Sequence, residues 1–283
     1  MNLFYIRPEV KITATGVNIK INNDNYVIQE LEKIDDIMIT AKSGYISIYA
    51  LRLLAMKGVT LTLHNLNGEL IYHIIPESPK KTIDNRILQY KAFIQNKQEI
   101  ADKIVKRKHE NYNRLLEAYN KPLIKDKSEG LFAEEYFSYL GALLNDFGYD
   151  YYSRSGLYSN SNQKAIHIIN ATLNLFYGYI EHRLLTSISQ YDLDYNLSFL
   201  HKPQYNKLSL TYDLIELLRA DIDKCVLEMA ESRRIQRSHF TLEKNGYYLL
   251  KEEKLKGYLK NIEPVEKQTD NTVKTFIHIL EAF

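Results

Sequence analysis

Cysteine and long hydrophobic runs are scarce in this 283-residue sequence. Cys225 is the single cysteine, so no disulfide can form within the chain, which agrees with a reducing compartment. No apolar run approaches the ~20 residues that a helix needs to cross a bilayer. The first residues, MNLFYIRPEVK, also lack the basic segment and apolar core of a secretion signal. We therefore expect a cytoplasmic protein without a membrane span.

An excess of one charge is also missing, because 37 Lys and Arg stand against 35 Asp and Glu. The distribution is less even. Residues 80–114 contain ten Lys or Arg and four Asp or Glu, and residues 231–260 contain eight and four. Such runs are often only the solvated face of a helix, but they also suit a phosphate backbone. The charge pattern alone therefore leaves nucleic-acid binding open.

The hydrophobic pattern changes once along the chain, near Pro76. Before this residue, short β-rich runs alternate with turn residues, which predicts an antiparallel sheet domain over residues 1–76. One helical stretch interrupts the strands and ends at Gly58. The predicted strands cover residues 3–6, 10–15, 17–21, 26–29, 36–40, 59–63 and 69–75, and the predicted helix covers residues 45–58.

A polar stretch that contains Pro79 predicts a linker at residues 77–82. Beyond it the pattern is helical almost to the end, which predicts an all-α domain over residues 83–283. The expected fold class is therefore α+β with two domains. The predicted helices cover residues 83–119, 129–146, 162–188, 207–230 and 270–282.

Two acidic residues interrupt a leucine-rich helical run. Asp213 and Glu216 lie three residues apart in SLTYDLIELLR, where like charges on one helix face repel each other. In the first interpretation, both carboxylates simply face water near the N-terminus of the helix. The second is a Mg²⁺ or Mn²⁺ site, completed by His201 from the preceding loop and Glu129 from the start of another helix. The residue pattern alone leaves both interpretations open.

Several ordered segments of the helical half resemble the CRISPR-associated integrases of spacer acquisition, the first-numbered Cas protein family. The long helix predicted after the linker is similar to the linker helix of that family. It carries Arg86, Gln89, Ala101, Lys108 and Asn111. The sheet half is similar to the N-terminal domain of the family. The segments that carry the resemblance are EGLFAEEYF (129–137), NATLNLFYGY (170–179), LDYNLSFLH (193–201) and SLTYDLIELLR (209–219).

The resemblance implies a metal-dependent DNA endonuclease and integrase with four catalytic residues, Glu129, His201, Asp213 and Glu216. Glu129, His201 and Glu216 would bind Mg²⁺ or Mn²⁺, and Asp213 would hold a metal-bound water or a nearby base. Without the cation, the converging carboxylates would repel each other. We therefore expect metal-free Glu216→Gln to be at least as stable as the wild type.

The resemblance also implies double-stranded DNA as the ligand, both as the incoming prespacer and as the CRISPR repeat. A homodimer formed through the sheet domains and a small ferredoxin-like partner, the second-numbered Cas protein, are implied as well. The residues expected to contact DNA are Arg86, Lys103, Lys106, Arg107 and Arg154. Tyrosines near the site either stack on bases or only pack, and they are Tyr151, Tyr152, Tyr158 and Tyr205.

Two alternatives stay open. One is a related integrase that acts on transposon ends, because nothing within the sequence separates it from a CRISPR protein. The other is a DNA-binding assembly subunit in which the acidic residues carry no chemistry. Binding of DNA without metal-dependent strand transfer would identify this second alternative.

Overall fold

A computed structural model describes most of the chain in two compact units. Residues 1–82 with 189–192 form the first unit, and residues 83–188 with 193–283 form the second. Within the described residues, no helix is both long enough and apolar enough to span a membrane. The described residues are 3–6, 9–16, 18–23, 25–34, 36–41, 43–64, 70–76, 83–125, 128–151, 167–201, 208–244 and 246–282.

The first unit contains two four-stranded sheets. One has the spatial order β1 (Leu3–Ile6), β5 (Asp36–Ile39), β7 (Thr60–His64), β8 (Leu70–Ile74). The other has the order β4 (Asn25–Glu30), β3 (Asn18–Asn23), β2 (Glu9–Thr15), β6 (Ser43–Ile46).

Both sheets mix parallel and antiparallel pairs. β1 with β5, β5 with β7, and β2 with β6 run parallel, whereas the other pairs run antiparallel. The prediction of a purely antiparallel sheet is therefore wrong. Alternation of apolar and polar residues reports which strands exist, but the direction of pairing depends on long crossovers that leave no local signal.

The sequence did not predict β6, because its residues SGYI look like a turn followed by the start of a helix. Gly44 explains why a strand fits there. A β-carbon on Gly44 would lie 1.9 Å from the carbonyl oxygen of Val10, and the residue has a φ of 146°. Only glycine allows β6 to approach β2 this closely. The helix therefore begins later than predicted, as α1 (Ile48–Lys57), and it ends at Gly58, which has a φ of 83°.

The core of the first unit follows from the two-residue period of its strands. Val10 and Ile12 of β2 and Ile19 and Ile21 of β3 are buried, and they belong to one apolar cluster with residues of α1. Burying side chains of this size stabilises the unit by roughly 1.5–3 kcal/mol each.

The second unit is mostly helical. Its helices are α2 (Ile83–Ala118), α3 (Glu129–Asp146), α4 (Ile168–Gln190), α5 (Ser209–Ile215), α6 (Arg219–Glu231), α7 (Glu252–Glu266) and α8 (Thr269–Glu281). The α+β fold class is confirmed, with sheets in the N-terminal part and helices after it. α2 packs against α3, α6 and α8, so it runs through the middle of this unit.

The helical half differs from the prediction in several details, and one of its helices, α7, was not predicted. A short hairpin, β9 (Phe240–Leu242) with β10 (Tyr248–Leu250), shows that the second unit is not all-α. The helix predicted over residues 207–230 is two helices, α5 and α6, with a break at residues 216–218. The predicted linker at residues 77–82 lies outside the described residues.

Candidate active site

Helix α2 positions the loop that carries His201. The buried Gln89 donates its side-chain Nε2 to the carbonyl oxygens of Asp194 at 2.9 Å and Leu197 at 3.0 Å. Its Oε1 accepts the backbone N–H of Asp194 at 2.7 Å. Three hydrogen bonds from one amide fix this loop against α2, because a buried side chain with all its partners has one favourable placement.

Asp213 holds His201 in one orientation. The Asp213 carboxylate is fully buried, and its Oδ2 accepts the backbone N–H groups of Phe199 at 2.6 Å and Leu200 at 3.0 Å. Its Oδ1 accepts the backbone N–H of His201 at 3.1 Å and lies 2.7 Å from His201 Nδ1. When Nδ1 donates this bond, the lone pair of Nε2 is left for a ligand, as in carboxylate–histidine–metal arrangements. The observed contacts make Asp213 a positioning residue. Its expected contact with a metal-bound water stays a prediction.

The break between α5 and α6 begins at Glu216, which caps the C-terminus of α5. Leu217 and Leu218 bond back three residues, to the carbonyl oxygens of Leu214 and Ile215, so the chain tightens there. Asn111 of α2 donates its Nδ2 to the carbonyl oxygen of Leu217 at 2.7 Å, which satisfies a backbone group exposed by the break. Asp213 and Glu216 nevertheless have separate partners, because Asp213 accepts hydrogen bonds from residues 199–201 and Glu216 pairs with Lys108 and Arg219.

Lys108 joins the carboxylates of Glu129 and Glu216. Its Nζ lies 2.8 Å from Glu129 Oε1 and 2.7 Å from Glu216 Oε2. Lys108 comes from α2, Glu129 begins α3, and Glu216 lies at the α5–α6 break. Lys108 and Glu216 are almost completely buried, with 8% and 6% of their surface exposed, whereas the Glu129 side chain is 47% exposed. We call Lys108, Glu129 and Glu216 the carboxylate cluster.

Burial and the neighbouring charges have opposite effects on the pKa of Glu216. Burial is the largest single influence on Glu216 and favours its neutral form, but Arg219 and Lys108 together outweigh it, so the pKa of Glu216 lies below its usual value. Arg219 Nε lies 2.7 Å from Glu216 Oε1. The hydrogen bond to Asp213 raises the pKa of His201, and the negative charge of Glu216 also favours the protonated ring. His201 and Glu216 thus influence each other's ionisation.

This arrangement corrects one expectation. Metal-free Glu216 does not face only like charges, because two cations lie against it. Removing its charge would take one of two carboxylates from the buried Lys108 and the anion from the half-buried Arg219, and breaking a buried pair destabilises a protein by roughly 3–5 kcal/mol. The premise of unrelieved repulsion is therefore wrong, and we expect metal-free Glu216→Gln to be less stable than the wild type.

The donor chemistry of the cluster fits a divalent cation, although Lys108 now lies between the carboxylates. Within the described residues, no three His, Cys, Asp or Glu side chains converge on one point as a ligand set. Glu216 Oε2 is buried and has no aligned hydrogen bond, even though Lys108 is close by. Two carboxylates and an imidazole are the ligand types that Mg²⁺ and Mn²⁺ accept. The assignment of Glu129, His201 and Glu216 as metal ligands stays a prediction.

A network of buried side chains lies next to Arg219. The Arg219 guanidinium lies 4.9 Å from the ring centre of Tyr177, and Tyr177 donates its hydroxyl to the buried Asp223. Tyr136 of α3 donates to the other oxygen of Asp223 at 2.8 Å. The sequence analysis assigned no role to these residues. The roles of Lys108 and Asn111 were missed as well, although both lie in the segment that resembles the family's linker helix.

The residues expected to contact DNA divide into three groups. Lys103, Lys106 and Arg107 are exposed on α2, and their spacing places them on one helix face. Arg86 is half-buried near the start of α2 and takes part in an interaction with the protein. Arg154 lies outside the described residues, as do three of the tyrosines, Tyr152, Tyr158 and Tyr205. Tyr151 is buried and donates its hydroxyl to Asn170 at 3.1 Å, so it packs.

The sequence matches a family model. Residues 3–128 and 123–264 match the model for "CRISPR associated protein Cas1". A curated relative from Saccharolobus solfataricus, a CRISPR-associated endonuclease Cas1, is 24% identical over 295 residues, which cover 96% of this chain and 90% of the relative. In two further curated relatives, the matched part spans 29% and 42% of the relative's length.

Solved structures with the same fold cover nearly the whole chain. The Cas1 protein TM1797 from Thermotoga maritima has a TM-score of 0.82 at 18% identity, over 99% of this chain and 97% of that one. A casposase bound to integration product has a TM-score of 0.81 at 21% identity, over 100% of this chain and 91% of that one. These similarities establish the fold.

Proposed function

Because the chain belongs to the Cas1 family, we propose that it cuts and joins DNA as a metal-dependent endonuclease and integrase of CRISPR spacer acquisition. The observation that carries the proposal is that Lys108 brings the carboxylates of Glu129 and the buried Glu216 together from separate segments, while Asp213 fixes the orientation of His201. Acidic side chains that only faced solvent would not be buried as Asp213 and Glu216 are.

The proposed reaction is attack by the 3′-hydroxyl of an incoming strand on a phosphodiester at a repeat boundary. The new P–O bond forms as the bond to the 3′-oxygen of the target strand breaks. Water in place of the hydroxyl gives cleavage. A bound Mg²⁺ or Mn²⁺ would supply positive charge that polarises the phosphoryl oxygen and offsets the charge of the leaving oxygen.

The residues of this chain have separate roles in the proposal. Glu129, Glu216 and Nε2 of His201 would hold the cation. Asp213 fixes the ring of His201 through Nδ1, and the three backbone N–H groups that it accepts keep the loop closed. Lys108 and Arg219 keep Glu216 ionised, so that it is a ligand at neutral pH without first losing a proton.

A strand-transfer assay tests the proposal. Labelled DNA with free 3′-hydroxyls and a plasmid that carries a CRISPR repeat would be incubated with Mg²⁺, Mn²⁺ or a chelator. We expect metal-dependent joining that His201→Ala and Glu216→Ala each abolish. The double variant should be scarcely worse than either single one, because a shared site fails as a unit.

Glu134→Gln is the matched control, since Glu134 is an exposed glutamate on α3, the helix that begins with Glu129. It should retain full activity. DNA binding without joining in any metal would contradict the proposal and favour the inert DNA-binding subunit.

The transposon integrase stays a second candidate, because the casposase has almost the same structural similarity to this chain as the Cas1 protein from Thermotoga maritima. The same assay separates the two when plasmids with a CRISPR repeat and with transposon ends compete for the labelled DNA. Joining at the repeat would support spacer acquisition, and joining only at transposon ends would contradict it.

The expected partners are also proposals. Solved structures similar in fold include a Cas6-RT-Cas1–Cas2 complex, with a TM-score of 0.76, and a TtCas1–DNA complex, with a TM-score of 0.54. We infer that this chain binds double-stranded DNA and a Cas2-type subunit in the cytoplasm, as a homodimer. The exposed cations of α2 support the DNA contact.

A further inference from the structure

A cavity lies in the helical unit, and none of its lining residues belongs to the carboxylate cluster. It has a volume of about 420 Å³, within the range of small-ligand sites. Its walls are formed by residues 148–150 after α3, residues 167–168 at the start of α4, Arg233 and residues 235–237 after α6, and Tyr248 of β10. We call it the arginine cavity, because Arg233 and Arg237 both line it.

The structure holds Arg233 in place. A β-carbon on Gly148 would lie 2.7 Å from Nη1 of Arg233, so the guanidinium fills space that only glycine leaves open. Arg233 itself has a φ of 55°, a left-handed conformation that costs a non-glycine residue about 1 kcal/mol or more. Its guanidinium also lies 6.0 Å from the ring centre of Tyr149, and Tyr149 is fixed by a 2.8 Å hydrogen bond to the carbonyl oxygen of Ile235.

Arg237, the second arginine of the cavity, is held by its own contacts. Its guanidinium lies 4.4 Å from the ring centre of Tyr248, and Nη1 donates to the carbonyl oxygen of Phe240 at 3.0 Å. An arginine has five N–H donors, so several remain for a ligand. In the described part of the chain, neither Arg233 nor Arg237 pairs with a carboxylate. Two preplaced cations without an anion favour an anionic ligand.

The other polar groups of the cavity agree with this charge. Asp150 is the one carboxylate among the described lining residues, and the guanidinium groups of Arg233 and Arg237 outnumber it. Burial lowers the pKa of His167 more than Asp150 raises it, so the ring is neutral near pH 7. His167 Nδ1 accepts the backbone N–H of Ile169 at 3.1 Å, so Nε2 carries the proton and is a donor.

We propose that the arginine cavity binds one nucleotide of an unpaired DNA strand, with its phosphate on Arg233 and Arg237. The base stacks on the face of the Arg237 guanidinium that Tyr248 leaves open, because guanidinium planes and aromatic rings both stack on splayed bases. A base stacked inside a duplex cannot enter a cavity. The inference rests on the proposed function in one respect, namely that DNA is the substrate.

Binding without metal tests the inference apart from strand transfer. The affinity for a duplex with a 3′ overhang of about five nucleotides would be compared with that for a blunt duplex, by fluorescence anisotropy in a chelator. We expect the wild type to prefer the overhang by about tenfold, which corresponds to one good stacking contact. The double variant Arg233→Gln with Arg237→Gln should lose this preference, and the slope of log affinity against log salt should fall by about 0.7, as expected for one phosphate of a single strand.

Arg234→Gln is the matched control. Arg234 lies between the two cavity arginines in sequence, but its guanidinium contacts Asn261 and Ser232. It should retain the preference for the overhang. Gly148→Ala should reduce the preference, because the methyl group displaces Arg233. Its melting temperature would be measured to confirm that the fold survives the left-handed alanine.

Each outcome either supports or overturns the inference. Equal overhang preference in the wild type and the double variant would overturn it, while metal-dependent joining would still support the proposed function. Loss of binding to free deoxythymidine monophosphate in the double variant, with overhang preference unchanged, would show a site for free nucleotides and overturn the strand assignment. A wild type that binds no DNA would overturn both proposals.

Discussion

Lys108 is the residue whose substitution should separate structural from chemical roles at the carboxylate cluster. Its ammonium lies between the carboxylates of Glu129 and Glu216, where it neutralises charge that a metal ion would otherwise neutralise. We expect Lys108→Met to lower the free energy of unfolding of the metal-free protein by roughly 3 kcal/mol, because it leaves Glu216 with one of its two cations. Urea denaturation in a chelator measures this change.

The same substitution should tighten the binding of Mn²⁺. Removing a positive charge that competes for the same oxygens favours the cation, so the dissociation constant should fall by about tenfold or more. Mn²⁺ titration followed by electron paramagnetic resonance gives the constant. Lys106→Met, an exposed position on α2, is the control and should change neither quantity. Weaker Mn²⁺ binding by Lys108→Met would show that Lys108 does not compete with the metal.

His201 should make the stability of the metal-free protein depend on pH. The hydrogen bond to Asp213 raises the pKa of His201 above its usual value. The folded state therefore binds the imidazole proton more tightly than the unfolded state does. A group with a raised pKa in the folded state stabilises fully below its unfolded pKa, and the contribution is lost as the pH rises through the folded pKa. The difference in melting temperature between wild type and His201→Ala should therefore be larger near about pH 5.5 than near about pH 9. An equal difference at both pH values would contradict this assignment.

At the scale of residues, the sequence revealed which side chains matter but not how they are paired. Glu129, His201, Asp213 and Glu216 were found from their types and from a family resemblance. The contacts that α2 supplies, from Gln89, Lys108 and Asn111, join groups more than 20 residues apart in sequence. Spacing within one segment carries no information about such contacts, so Lys108 had no predicted role.

Among the elements, α2 serves both the site and the expected DNA surface. It carries the buried Gln89 and Lys108, which contact the site, and the exposed Lys103, Lys106 and Arg107. Changing these three exposed residues to Glu should weaken DNA binding strongly and flatten its salt dependence, because fewer phosphates are neutralised. The melting temperature should hardly change, since substitutions at exposed positions usually alter stability by less than about 0.5 kcal/mol each.

The control for α2 is a triple change at exposed lysines elsewhere in the helical unit. Lys224, Lys256 and Lys274 lie on other helices and are exposed or half-exposed. Their replacement by Glu alters the net charge equally. Equal losses of DNA affinity in the two triple variants would show that total charge matters and that α2 is no specific surface.

Element boundaries were predicted well where a local signal exists. α3 was predicted at residues 129–146, where it is found, and Gly58 ends α1 as expected. The break between α5 and α6 was missed because it depends on Asn111 binding the carbonyl oxygen of Leu217, a contact between distant segments. The parallel pairing of β2 with β6 was missed for the same reason.

At the scale of the whole molecule, we expect a homodimer formed through the first unit. Ile48 and Met56 of α1 are 81% and 75% exposed, and the edge strand β8 exposes Ile71 and Tyr72. Large exposed apolar side chains and an open sheet edge are typical of interaction surfaces. Light scattering should give twice the 33.2 kDa mass of one chain at micromolar concentration.

Two charged substitutions test where the copies meet. Ile48→Lys combined with Met56→Lys should shift the protein to monomers, because burying the two ammonium groups is unfavourable. Ile94→Lys, at an 82% exposed position on α2, is the control and should leave the dimer intact. A wild-type mass near that of a single chain would contradict the dimer.

The measurement that tests the central claim most directly is the response of the melting temperature to Mn²⁺ in the wild type and in Glu216→Gln. In the wild type, Mn²⁺ at about 100 times its dissociation constant should stabilise the fold by about 2.7 kcal/mol, or roughly 5–10 °C. Glu216→Gln should melt at a lower temperature without metal, because Lys108 and Arg219 lose their anion, and Mn²⁺ should raise its melting temperature little or not at all. Glu134→Gln should respond like the wild type. An identical Mn²⁺ response in wild type and Glu216→Gln would contradict the assignment of Glu216 as a metal ligand.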